Sequence, residues 1–312
     1  MRVTLDLAKL LEDGRITPAE FDRLKGYATE GAGSAAINIL IGFGVVAVAL
    51  GAIGLVPEPA TAIVIGAVMA AAGLGFILSG SGAWGLLANI GLVAGALLAT
   101  GGLVFATKGS ATTLLAVTIV LAGVAVVARS GLLIGLAVLT LSATVGARTG
   151  YAHASYFLGI ERPLLTVLVF SALAIAAYQA SKRLAADQAR LAIIAARTSL
   201  LLVNFGFWVG SLWGDRLRWL GGDPSGGSLV GVPAWTFTIA WAVAIIGTGA
   251  WAARSGRSWV LGLAAVFGAI HFYTQWFERL GPNPLSILVA GVVTLALAVG
   301  IWRYNRSGTS AG

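Results

Sequence analysis

The residues best suited to chemistry stand near the end of an apolar segment, residues 258–280. His271, Thr274, Gln275 and Glu278 occupy positions i, i+3, i+4 and i+7 there. Because an α-helix has about 3.6 residues per turn, these positions share one face of the predicted helix. Ionisable groups at depth in a membrane are costly and tend to line cavities or proton paths. The stripe therefore predicts a polar track that opens toward the outer surface.

The membrane boundary decides between two interpretations of this stripe. If the helix crosses the membrane at full length, His271 lies roughly 20 Å from its first residue, and Gln275 and Glu278 continue the track outward. If the span is shorter, the same residues lie in the outer interface, where Tyr273 and Trp276 belong to an aromatic belt. The sequence leaves both interpretations open.

A second polar stripe runs along and just beyond the apolar residues 191–213. It comprises Arg197, Leu201, Asn204, Trp208, Ser211 and Asp215. Glycines 206, 210 and 214 form a strip on another face, which permits close helix packing and would leave the polar stripe facing a cavity. Asn204 is too central and too short to reach water, although it can also bond to a neighbouring helix. Arg197 can extend back to the nearer interface.

The two stripes define the predicted cavity-lining residues. These are His271, Gln275, Glu278, Asn204 and Arg197, of which Arg197 would attract an anion. The chain has no cysteine, no HExxH metal pair and no GxSxG nucleophile motif. We therefore expect no catalytic residues, no metal site and no cofactor.

The elements that position these residues are predicted to be transmembrane helices. Of the 312 residues, 58% are hydrophobic and only 10% are charged, whereas soluble domains carry about 25% charged residues. Backbone groups in hydrocarbon must hydrogen-bond within their own segment, which favours helices. The predicted fold class is all-α, a polytopic transmembrane helix bundle of about ten membrane helices with a short cytoplasmic N-terminal helical hairpin.

Ten apolar segments carry this prediction. They lie near residues 34–56, 61–79, 84–106, 111–128, 131–147, 163–180, 191–213, 234–253, 258–277 and 284–302. Very short joints, such as Lys108 to Ser110, make sequential helices antiparallel neighbours. The two segments that flank Arg129 could instead be one re-entrant or long bent element, which would change the orientation of every later helix.

Three regions follow from the charge pattern. Residues 1–31 are predicted to form a cytoplasmic amphipathic helical hairpin with a capping box at Thr17 and Glu20. Residues 32–303 form the transmembrane helical domain, and residues 304–312 form a disordered cytoplasmic tail. With the N-terminus inside, about twice as many Lys and Arg residues fall on the inside as on the outside. This asymmetry predicts a multi-pass protein of the cell membrane with both termini cytoplasmic.

Two stretches at the ends of the chain carry a resemblance to a known family. The first runs from Leu10 to Phe21 ahead of a glycine-rich segment, and the second runs from Tyr273 to Glu278 ahead of a basic tail. Both are similar to a family of predicted bacterial integral membrane proteins of unknown function, domain of unknown function 2157. The resemblance implies a multispanning protein of the bacterial inner membrane that works with other membrane or envelope proteins. It carries no functional residue over.

Two functions from different classes fit these observations. The leading hypothesis is passage of a small solute through a cavity between the seventh and ninth predicted membrane helices. The rival is a non-transporting membrane subunit whose N-terminal hairpin, residues 4–30, recruits another membrane or envelope protein. The predicted partners are the lipid bilayer and such a protein. Nucleic-acid binding is not expected, because basic residues fall singly between apolar runs, and the oligomeric state stays open.

Overall fold

The computed structural model describes residues 7–27, 32–80, 84–152, 155–216 and 231–295, and these residues are predominantly helical. In chain order the elements are α1 (Leu7–Glu12), α2 (Pro18–Tyr27), α3 (Ala32–Leu55), α4 (Pro59–Leu78), α5 (Gly85–Ala106), α6 (Ala111–Val127), α7 (Gly131–Val145), β1 (Ala147–Ala152), β2 (Ser155–Ile160), α8 (Pro163–Ser181), α9 (Ala186–Trp213), β3 (Asp215–Arg216), β4 (Gly231–Val232), α10 (Ala234–Arg254), α11 (Ser258–Leu280) and α12 (Pro284–Leu295). The predicted tail, residues 304–312, lies outside the described residues.

Six of the helices in the described residues are long and apolar enough to cross a membrane: α4, α5, α8, α9, α10 and α11. Leu40–Leu55 within α3, and helices α6, α7 and α12, are apolar but shorter. With 17 and 15 residues, α6 and α7 extend roughly 26 and 22 Å, less than the ~30 Å hydrocarbon core of a bilayer. A multi-pass helical membrane bundle is confirmed, whereas the predicted number of about ten spans is not.

Arg129 separates two helices. Its backbone adopts a left-handed conformation with φ of 51°. The Ser130 N–H donates to the Ala125 carbonyl at 2.9 Å and the Arg129 N–H donates to the Val126 carbonyl at 3.3 Å. These two bonds form the Schellman motif that ends a helix, and α7 begins at Gly131. The segments that flank Arg129 are therefore not one long bent helix.

The N-terminal hairpin has the predicted cap. The Glu20 N–H donates to the Thr17 hydroxyl at 3.3 Å, and the Thr17 N–H donates to the Glu20 carboxylate at 2.9 Å. This is the reciprocal pattern of a capping box. The Thr17 N–H and the Thr17 hydroxyl both donate to the Glu20 carboxylate, and these two hydrogen bonds lower the pKa of Glu20. The extent of the hairpin domain, 1–31, stays a prediction.

The chain divides into two compact units, Met1–Leu133 and Ile134–Gly312. In the first unit, α4 and α5 pack with their backbones in contact. A Cβ added to Gly66 would lie 2.6 Å from the Gly95 carbonyl oxygen, and a Cβ added to Gly95 would lie 2.6 Å from the Gly66 carbonyl oxygen. Gly73 and Gly102 lie seven residues further along their helices, and a Cβ there would lie 2.6 Å from the Ala88 carbonyl oxygen and 2.9 Å from the Pro59 carbonyl oxygen, respectively. Only a residue without a side chain permits this approach.

We expect Gly95→Ala to destabilise the first unit, because its methyl group would collide with the α4 backbone. Overpacking of this kind costs about 1–3 kcal/mol. Gly101→Ala is the matched control, since a Cβ there meets nothing within 4 Å and alanine raises helix propensity. Thermal unfolding in detergent measures both variants. Equal unfolding midpoints for the two variants would contradict the backbone contact.

In the second unit, α7, α8 and α9 share a core that includes Val138, Phe170 and Leu202. The glycines of α9 permit close packing against neighbouring helices, as the sequence predicted. A Cβ on Gly206 would lie 3.0 Å from Val167 of α8, and one on Gly210 would lie 2.5 Å from the Phe237 ring of α10. Helix α9 thus approaches α8 and α10 through two of its glycines.

Helix α12 packs against the aromatic face of α11. The Tyr273 hydroxyl lies 2.7 Å from the Thr294 hydroxyl, and the Trp276 indole N–H donates to the Ser286 carbonyl at 3.1 Å. The aromatic stripe of α11 therefore contacts a neighbouring helix, which leaves its polar stripe free to meet α9 and α10.

Two short β-hairpins lie at the end of the second unit where α8 and α10 begin. Strands β1 and β2 pair antiparallel from Ala147↔Ile160 to Ala152↔Ser155, and β3 pairs with β4. Gly146, with φ of 101°, follows the last residue of α7, and Pro163 is the first residue of α8. The chain between these two helices reverses its direction in the β1–β2 hairpin.

Candidate functional site

The candidate site lies where α9, α10 and α11 meet around Trp241, a residue of α10 with 0% exposure. Its indole N–H donates to Asn204 Oδ1 at 2.9 Å. The Asn204 Nδ2 group donates in turn to the Leu200 carbonyl of its own helix at 2.8 Å. Both ends of the Asn204 amide are therefore bonded, and one of these bonds ties α9 to α10.

His271 of α11 contacts the same indole. The ring centroids of Trp241 and His271 are 4.9 Å apart, with an interplanar angle of 86°. This is the edge-to-face geometry that aromatic rings prefer. The Nδ1 atom of His271 is buried and has no hydrogen-bond partner among the described residues. The indole thus contacts both Asn204 and an imidazole that has unused hydrogen-bonding capacity.

Further polar contacts continue along α11. The Thr238 hydroxyl donates to Gln275 Oε1 at 3.4 Å, and the Trp208 indole N–H donates to the Thr274 hydroxyl at 3.0 Å. The Nε2 group of Gln275 is buried without a partner in the described part of the chain. We use the term polar seam for the side chains of Asn204, Trp208, Thr238, Trp241, His271, Thr274 and Gln275.

The other two predicted residues lie away from the polar seam. Glu278 and Arg197 are both exposed. The Arg197 guanidinium lies over the Trp259 ring, 4.9 Å from its centroid, near the first residue of α11. Arg197 thus extends toward the end of the helix. This agrees with the expectation that its long side chain reaches back to the nearer membrane interface. The structure brings Asn204, His271 and Gln275 together, and the cavity-lining role of all five residues stays a prediction.

A small void lies beside Asn204. It has a volume of about 50 Å³ and is lined by α9, α10 and α11, which is enough for water molecules. Leu200, Thr248 and Val260 line both this void and a larger cavity of about 330 Å³. The larger cavity lies at the end of the unit where α8 ends and α11 begins. Neither His271 nor Trp241 is among the residues that line these two cavities.

A second cleft, of about 570 Å³, lies at the opposite end of the unit beside Asp215. Asp215 is only 4% exposed. Its Oδ2 atom accepts the Leu164 N–H at 2.9 Å, and its Oδ1 atom has no partner among the described residues. Burial raises the pKa of Asp215, while the Leu164 N–H and the Arg162 charge act in the opposite direction. Asp215 therefore caps the start of α8.

Sequence reasoning missed Trp241 and Thr238, which supply the α10 contribution to the polar seam. A signal for Trp241 was present, because an indole N–H in the middle of an apolar helix needs an acceptor. Among the residues that the structure describes, no group of three or more His, Asp or Glu side chains could hold a metal ion.

No protein-family model, no curated protein and no solved structure matches this chain. The resemblance of its two ends to a bacterial membrane family stays a prediction, and no residue role comes from a relative. The candidate site is defined by its geometry.

The raised pKa of Asp215 predicts a dependence of stability on pH. The folded state holds the Asp215 proton more tightly than the unfolded state, whose pKa is near the ordinary 3.8. The resulting stabilisation is present below that value and is lost as the pH rises through the folded-state pKa. Asp215→Asn keeps an acceptor for the Leu164 N–H but cannot titrate.

We therefore expect the unfolding midpoint of the wild type to fall, relative to that of Asp215→Asn, as the pH rises above the ordinary carboxyl pKa of 3.8. Thermal unfolding in detergent at several pH values measures this difference. Glu278→Gln, which changes an exposed carboxylate, serves as the control. A difference that does not change with pH would show that the buried carboxyl does not titrate in this way.

Proposed function

We propose that the second unit passes a small solute along the polar seam between α9, α10 and α11. The observation that carries this proposal is that Asn204 and His271 contact one buried tryptophan, Trp241, while Gln275 bonds to Thr238 on the same helix α10, and that these helices are long enough to span a membrane. These three residues come from two separate polar stripes of the sequence. Their convergence supports the predicted path between the seventh and ninth apolar segments, which correspond to α9 and α11.

The unused polar atoms support transport over a purely structural role. A buried polar group without a hydrogen bond costs about 1–3 kcal/mol. His271 Nδ1 and Gln275 Nε2 carry that cost among the described residues. Water or a hydrogen-bonding solute beside α11 would satisfy both atoms. The larger cavity and the void beside Asn204 share three lining residues. Such a molecule could therefore approach Asn204 from the end of the unit where α8 ends and α11 begins.

Trp241 acts as the gate in this proposal. Its indole contacts both Asn204 and His271 and is held by one hydrogen bond and by ring contacts with His271 and Phe267. Rotation of the indole would exchange these contacts for an opening that joins the void to the polar stripe of α11. The void of about 50 Å³ limits the solute to a few non-hydrogen atoms.

The proposed arrangement in the membrane comprises about ten spans, with both termini in the cytoplasm of a bacterial cell. The four shorter apolar helices would complete the count, and local thinning of the bilayer accommodates short spans at modest cost. The excess of Lys and Arg in the inside joints supports this orientation.

Single-cysteine labelling tests the arrangement, because the native chain has no cysteine. A cysteine at Ser130 should react with an impermeant maleimide only from the side that holds the termini, whereas cysteines at Lys108 and Glu161 should react only from the other side. Labelling of Ser130 from the same side as Lys108 would exclude separate spans for α6 and α7.

Transport is tested by flux into liposomes with urea, glycerol and protons as probes, read by vesicle swelling and a trapped pH dye. Asn204→Leu and His271→Ala should abolish the flux of the conducted probe while the protein remains folded. Trp241→Ala should raise the passive flux because it removes the gate, and Trp235→Ala should not, because Trp235 lies on the same helix with 63% exposure. Wild-type flux in all of these variants would overturn the proposal.

One observation favours the alternative role as a non-transporting subunit. The N-terminal hairpin has a complete capping box between Thr17 and Glu20, so its second helix has a defined start. In that role, residues 4–30 recruit another membrane or envelope protein, and the polar seam only holds three helices in register. Deletion of residues 1–30 would then release a co-purifying partner, and an unchanged co-purification would count against this alternative.

A further inference from the structure

We infer that the cavity of about 330 Å³ at the end of the second unit binds the headgroup of an anionic phospholipid. This aromatic cavity, as we call it, lies where α8 and α10 end and where α11 begins. Its chemistry comes from its walls, from the cations at its mouth and from the helix face below it. The inference does not depend on solute passage.

Three aromatic side chains form the walls. The Tyr178 and Trp251 rings meet edge to face, with their centroids 5.7 Å apart, and Trp259 lies across from them on α11. Tyrosine and tryptophan are enriched at the level of lipid headgroups, because one part of each side chain is apolar and another is polar. The walls therefore fit the boundary between acyl chains and headgroups.

Three cations stand over these rings. Lys182 Nζ lies 4.6 Å from the Tyr178 centroid, and the Arg257 guanidinium carbon lies 5.7 Å from the same centroid. Arg197 lies 4.9 Å from the Trp259 centroid. A ring face holds a cation in place without neutralising it. Lys182 Nζ donates one hydrogen bond to Gln179 Oε1 at 3.0 Å, and the remaining N–H donors of the three cations stay available for a phosphate.

The surrounding charge is also positive. Within the described residues, none of these three cations pairs with a carboxylate. The flanking joints add Arg183, Arg190 and Arg254, against the single acidic residue Asp187. An anion is therefore the ligand class that this end of the unit attracts.

The face of α8 below the cavity distinguishes a lipid from a soluble anion. Leu168, Ile175 and Lys182 follow one another at intervals of seven residues, so they lie on one line along the helix. Leu168 is 55% exposed and Ile175 is 63% exposed, and Ile175 also lines the cavity. Along this line, the exposed aliphatic side chains would contact the acyl chain of a lipid, and the Lys182 ammonium would contact its phosphate.

Native mass spectrometry of the purified protein with phosphatidylglycerol and phosphatidylcholine of identical acyl chains tests this inference. We expect preferential retention of phosphatidylglycerol. Lys182→Gln and Arg257→Gln should each lower its apparent affinity about fivefold, as expected for the loss of one interfacial cation. Arg183→Gln and Arg254→Gln are matched controls at the same helix ends, and they should retain wild-type affinity.

Several results would overturn the inference. Equal retention of the two lipids would show that the cavity does not select an anionic headgroup. Equal losses in the controls would mean that diffuse surface charge is responsible. Displacement of the lipid by millimolar inorganic phosphate or glycerol phosphate would identify a site for a soluble anion. Because lipid retention is read without flux, the inference and the proposed transport function can fail separately.

Discussion

The hydrogen bond from Trp241 to Asn204 is the interaction on which the candidate site depends. An indole N–H in an apolar interior needs an acceptor, and Asn204 Oδ1 provides one at 2.9 Å. This bond fixes which face of α10 meets α9. The same indole meets the His271 ring edge to face, and Gly210 leaves room for Phe237 of α10 against α9. One side-chain pair thus sets the register of three helices.

The two units use different interactions to associate helices that are apolar on most of their surface. Lipid tails are as apolar as leucine, so burial of aliphatic side chains gives little preference for helix contact in a bilayer. In the first unit, glycines such as Gly66 and Gly95 bring backbones together. In the second unit, tryptophan and threonine side chains bond across helices. Nine of the ten tryptophans follow residue 200. Because each indole carries one N–H donor, these hydrogen-bond donors are concentrated in the second unit.

The sequence predicted the apolar helices, the Thr17 cap and the polar faces of α9 and α11, because each depends on local composition and spacing. It could not predict Trp241, because periodicity identifies a face of one helix but not the residue that it meets on another helix. The hairpin at Ala147–Ile160 was missed because its short strands show no clear alternation. The seven-residue spacing of Gly66 and Gly73 was visible, but it was obscured among 43 glycines.

The most direct test of the central claim is whether Trp241 closes the path to the void beside Asn204. A cysteine at Ala264, which lines that void, can report access in a chain without native cysteine. A small impermeant thiosulfonate is applied in liposomes from the side of Asp215. We expect slow modification with Trp241 present and at least about tenfold faster modification in Trp241→Ala, with no change in Trp235→Ala. Equal rates with and without the Trp241 indole would contradict the claim that this side chain is the gate.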